Sequence, residues 1–137
     1  MKLNWKNNLF LYVSILTYLV SLILPVHFIF DDPEGYFGYV YAYLGWMTFP
    51  YLDFFCWLGN ITLLFSWIFY RKNVGFYISI LTLVLMSFYG INHLTRLDIL
   101  QVYEYDLPLF GYWIWLFSSI FVLIHHYKKY KLKSQTL

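Results

Sequence analysis

Two histidines and one aspartate are the residues whose types and places best suit chemistry. His27 and His93 each lie about 18 residues past the start of a long apolar run, which at ~1.5 Å per helical residue lifts both to the same far level. Asp53 and the cluster Asp31, Asp32 and Glu34 belong to that level too. Two imidazoles with carboxylates form a site for a divalent metal, and two histidines on neighbouring helices can ligate a haem. Asp53 with His93 would also serve as the acid and base of a membrane-embedded enzyme acting on a lipid-linked substrate. Against the metal and haem readings, no His-x-x-x-His pair occurs and a solvated histidine at an interface is the commoner case. The cofactor therefore stays open. Asn60 is the most polar side chain near the middle of any apolar run. An unbonded amide there costs several kcal/mol, so it should bond a hydroxyl such as Thr17 or Ser118. His125 and His126 adjoin a basic tail, where solvation or contact with lipid phosphate is expected.

The absences narrow the function. No Asp, Glu, Lys or Arg occupies the middle of an apolar run, whereas ion-coupled carriers and proton pumps rely on such groups. Gly-x-Ser-x-Gly is absent, and Cys56 has no base at helical spacing. A single cysteine excludes an internal disulfide and a cysteine metal knuckle. Phosphate-loop and nucleic-acid signatures are missing as well. The balance is against an enzyme.

The elements that must position these residues follow from composition. Only 12% of the 137 residues are charged, against about 25% in soluble domains. Four apolar runs have the ~20 residues that a membrane crossing needs: roughly 9–30, 51–70, 74–95 and 109–127. Pro25 should loosen the last turn of the first. The first run is read as a retained span, because no small-x-small cleavage site follows it. Lys2, Lys6, Arg71, Lys72, Lys128, Lys129, Lys131 and Lys133 fall on one side of these spans, and Arg96 with every acid on the other. The positive-inside rule then puts both termini in the cytoplasm. Ser14, Thr17 and Ser21, then Asp53, Cys56, Asn60 and Trp67, then Gly75, Ser79, Thr82, Met86 and Gly90 leading to His93, then Gly111, Trp115, Ser118 and His125 mark one face of each helix, as packing glue.

Residues 31–53 form the outer cap, with four of the seven acids and a surplus of aromatics. Tyr39, Tyr41, Tyr43 and Trp46 are its candidate contact residues. A short helix lying flat over about 36–44 is expected, although the alternation of the three tyrosines also suits a hairpin strand.

On these residues the chain resembles a family of small four-span bacterial inner-membrane proteins that carries no assigned activity. The resemblance rests on Leu24-Pro25, on Gly45-Trp46, on Trp57-Leu58-Gly59-Asn60, and on Gly111, Tyr112, Trp113, Trp115, Leu116 and Ser118. Gly59 and Ile61 depart from the family's Trp-Leu-Ala-Asn-Pro. The resemblance implies that Gly45, Trp46, Asn60, Gly111 and Trp115 form one feature where the second and fourth helices meet under the cap. The expected fold is all-α, one transmembrane four-helix bundle with a short interfacial element. The expected role is non-enzymatic: an accessory or protective, immunity-like partner in a bacterial cytoplasmic membrane, contacting lipid and another membrane protein or a second copy of itself.

Overall fold

The computed structural model describes residues 5–29, 32–49, 52–99 and 110–134. The chain is mostly helical. α1 spans Trp5–Leu22, α2 Gly38–Leu44, α3 Leu52–Ile68, α4 Val74–Ile99 and α5 Phe110–Ser134, with a 3-10 turn at Gly45–Thr48 directly after α2. Strands β1 (Pro25–Ile29) and β2 (Asp32–Phe37) form an antiparallel hairpin with two register shifts. Among the described residues one helix, over Val74–Ile91, is long and apolar enough to cross a membrane; Asn8–Leu22 and Phe54–Ile68 are shorter apolar helices.

The first helix stops eight residues before the end of the apolar run that carries it. Pro25 has no N–H to give to a helix and pushes Leu24 out of the helical region. Val26, Phe28 and Ile29 beyond it favour a strand. The expected single helix over 9–30 is thus replaced by a helix and a strand. The cap contains both of the forms expected for it, in series: a strand to Phe37, then a helix from Gly38. α5 runs beyond the expected end at 127 and carries the basic tail through Lys131 as helix.

α1 packs on α5, α3 on α4, and α4 on α5. The interior is built largely from small polar side chains. Ser14, Ser21, Ser66, Ser79, Thr82, Ser118 and Ser119 are all buried, while Leu16, Leu19, Ile23, Ile68, Ile91 and Phe117 lie exposed on the helix exteriors. Most buried hydroxyls are satisfied within their own helix, as where Ser79 donates to Phe76 and Thr82 to Ile78. A few bond between helices. Ser14 Oγ donates to the Ser118 carbonyl on α5 (2.7 Å) and accepts from Trp67 Nε1 on α3 (3.0 Å), so one hydroxyl joins three helices. Two apolar clusters fill the remaining space. One contains Leu11, Tyr18, Leu63, Met86 and Val122, and the other Val26, Cys56, Tyr89 and Tyr112.

Candidate functional site

The strongest candidate is a ledge of apolar side chains on α2 and the 3-10 turn, at the end where α1 finishes and α5 begins. Two glycines seat it. A Cβ on Gly38 would strike the Ser21 carbonyl and the Leu22 backbone, and one on Gly45 would strike the Trp57 ring. Both positions need a missing side chain for close approach. The Gly38 amide donates to the Leu24 carbonyl (3.0 Å), Trp57 Nε1 donates to the Ala42 carbonyl (2.9 Å), and Thr48 Oγ1 closes the 3-10 turn on the Gly45 carbonyl (2.6 Å). Phe54 stacks on Trp57 and meets Phe49 edge-on, with centroids 5.8 and 5.3 Å apart. The backbone of the ledge is therefore tied to α1 and α3.

The outward side chains are large. Tyr39 and Tyr43, one helical turn apart, are 56% and 77% exposed, and Trp46, Met47 and Phe49 are 55–67% exposed. Tyr41 faces the other way and packs on the Val26, Cys56, Tyr89 and Tyr112 cluster. The expected three-tyrosine surface is thus corrected. A 3.6-residue period puts Tyr39 and Tyr43 on one face and turns Tyr41 inward.

Beneath the ledge Trp115 Nε1 donates to Asn60 Oδ1 (2.8 Å), which joins α5 to α3. Asn60 accordingly bonds an indole and not the expected hydroxyls. Thr17 Oγ1 donates to the Val13 and Ser14 carbonyls, and Ser118 Oγ to the Trp115 carbonyl, all within their own helices. Gly111 lets α5 approach the Leu24 and Pro25 carbonyls. Tyr112, not singled out for chemistry in the sequence, places its hydroxyl against α4. It donates to the Met86 carbonyl (3.1 Å) and accepts from the Gly90 amide (3.0 Å), two groups that a regular helix joins directly.

The side chains of His27, Asp53 and His93 lie outside the described residues, and with them the metal, haem and acid–base readings. Among the described residues no group of three His, Cys, Asp or Glu side chains comes together. Cys56 is buried. His125 and His126 are buried as well, and so correct the expectation of interfacial histidines. The His126 Nε2 lies 3.2 Å from the Ser66 carbonyl and 3.3 Å from Ser66 Oγ. A carbonyl only accepts, so Nε2 carries the proton. His125 Nε2 has no partner among the described residues. What this arrangement can do is bind: it offers a fixed aromatic surface and an interior whose polar groups are used to join helices. No protein-family model, curated protein or solved structure matches the chain.

Proposed function

We propose that this chain is a small four-span protein of a bacterial cytoplasmic membrane, which acts without catalysis by holding a partner on the ledge. α1, α3, α4 and α5 are its spans, with the termini and the α3–α4 turn in the cytoplasm and the ledge outside. The partner is another membrane protein or a second copy of the chain, and the role is accessory or protective. Buried serines and threonines with exposed leucines and isoleucines support the membrane reading, because a bilayer rewards apolar exteriors and small, hydrogen-bonding contacts between helices. The segregation of charge supports the orientation.

The observation that carries the partner reading is the ledge itself. Tyr, Trp, Phe and Met are the residue types enriched in protein interfaces. Here they stand exposed on a backbone anchored by Gly38, Gly45 and the Trp57–Ala42 bond, so little ordering entropy is lost on contact. The test is affinity purification of tagged protein from its native membranes in mild detergent, beside a Tyr39→Ala, Tyr43→Ala, Trp46→Ala variant. A stoichiometric membrane protein or second copy should accompany the wild type and be lost from the variant. A wild-type protein that elutes alone and monomeric overturns the proposal.

A further inference from the structure

The opposite end of the molecule carries a second feature. The α3–α4 turn is tight: the Lys72 amide donates to the Phe69 carbonyl (2.9 Å) and the Phe76 amide to the Asn73 carbonyl (3.1 Å). Gly75 lets it approach α5, since a Cβ there would strike the His126 ring and the Phe69 carbonyl. Between the turn and α5 lies a cleft of about 150 Å³, lined by Arg71, Lys72, Asn73, Phe76, Lys129 and Tyr130 among others. Phe76 and Tyr130 stack across it at 5.2 Å. Lys129 Nζ donates to the Tyr70 carbonyl (3.0 Å) and lies over the Tyr70 ring at 4.9 Å. The Arg71 guanidinium lies 5.1 Å from the centroid of that ring.

Three cations thus gather at one cleft, with no carboxylate among its lining residues. The sequence has no acid between Asp53, which lies at the start of α3, and Asp98, which lies at the end of α4, so none belongs to the stretch that forms the α3–α4 turn. A bound anion would offset the repulsion between the Arg71 and Lys129 charges. The ammonium keeps further donors beyond the one spent on Tyr70, and the Arg71 fork suits tetrahedral oxyanions.

We infer that this cleft binds a phosphate group, that of an anionic phospholipid headgroup at the cytoplasmic surface, between the α3–α4 turn and α5. Arg71, Lys72 and Lys129 would hold the phosphate oxygens, and the glycerol would lie beside the stacked Phe76–Tyr130 pair. The lipid source rests on the membrane reading above.

The test uses the full-length protein, first washed in its membranes with alkaline carbonate. It is then purified in mild detergent, stripped of lipid and titrated with short-chain phosphatidylglycerol or phosphatidylcholine, with bound lipids counted by native mass spectrometry. One phosphatidylglycerol should be retained, at least about tenfold more tightly than phosphatidylcholine. Arg71→Gln and Lys129→Gln should each weaken retention about tenfold, and Lys128→Gln no more than about twofold. Lys128 is the control because it loses the same charge from outside the cleft, where its ammonium lies over Phe10 at 4.1 Å. Arg71→Gln makes no change to the Lys129–Tyr70 bond, so it reads the cleft even where Lys129→Gln loosens the fold. Equal loss from Lys128→Gln and Arg71→Gln, or no preference for the anionic lipid, overturns the inference. Saturation by inorganic phosphate below about 1 mM without lipid selectivity assigns a soluble anion and overturns the lipid source. Release by carbonate defeats the membrane reading. Retention in the membrane with no bound phosphatidylglycerol defeats the cleft alone.

Discussion

Replacing Gly90 with alanine introduces one methyl group at the point where the Tyr112 hydroxyl meets α4. In a free helix that change stabilises by about 1 kcal/mol. Here the new Cβ would overlap the hydroxyl and sit 3.0 Å from Tyr112 Cζ and 3.1 Å from Cε1. Tyr112 is 1% exposed and cannot swing away. Overpacking of this kind costs about 1–3 kcal/mol. Displacing the hydroxyl also breaks its bonds to Met86 and Gly90, and a hydrogen bond of this kind contributes about 0.5–1.5 kcal/mol net. Gly90→Ala should therefore destabilise by about 2 kcal/mol despite its propensity gain. Tyr112→Phe alone should cost about 1 kcal/mol, because the freed Met86 carbonyl and Gly90 amide can rejoin each other. In the double variant the hydroxyl clash is gone and only the ring-edge contacts remain tight. It should lose less than the two single losses together, by about 1 kcal/mol or more. The assay is reversible unfolding in detergent, followed by tryptophan fluorescence and far-ultraviolet circular dichroism. Wild-type stability in Gly90→Ala, or additivity within about 0.5 kcal/mol, would refute the placement of this hydroxyl.

The other contacts lead to further expectations. Trp115→Phe should destabilise by about 1–3 kcal/mol, because it leaves Asn60 Oδ1 buried without its donor; adding Asn60→Leu should recover part of that loss in the same unfolding assay. His126→Leu should cost more than His125→Leu in thermal unfolding, because only the His126 Nε2 bonds Ser66, whereas His125→Leu removes a buried nitrogen with no partner among the described residues. Gly45→Ala should cost about 1–3 kcal/mol and increase exposure of Trp57 to an aqueous quencher, because its Cβ meets the Trp57 ring.

The helices were legible in the sequence where an apolar run ended at turn chemistry. Arg71-Lys72-Asn73 marks the α3–α4 turn, and Pro108 precedes α5. The small-residue stripe was legible too, since Gly75, Ser79, Thr82, Met86 and Gly90 are all buried on α4. The early end of α1 was not, because an apolar run gives the same signal whether it continues as helix or turns into a buried strand. Only Pro25 hinted at the change. Asn60 announced that it needed a partner, but spacing along one helix carries no information on which residue of another faces it. The burial of His125 and His126 depends on α5 reaching the α3–α4 turn, a tertiary contact that Gly75 permits. The gathering of Arg71, Lys72 and Lys129 follows from the same contact, across more than 50 residues of chain.

The proposed function requires four crossings that put the ledge and the basic cleft on opposite sides of one membrane. The most direct measurement is labelling of single cysteines in intact cells with a membrane-impermeant maleimide, in a Cys56→Ser background. Tyr43→Cys should label from outside, whereas Asn73→Cys and Leu132→Cys should label only after the membrane is opened. Labelling of Tyr43→Cys and Asn73→Cys from the same side, or of all three positions without opening the membrane, would contradict it.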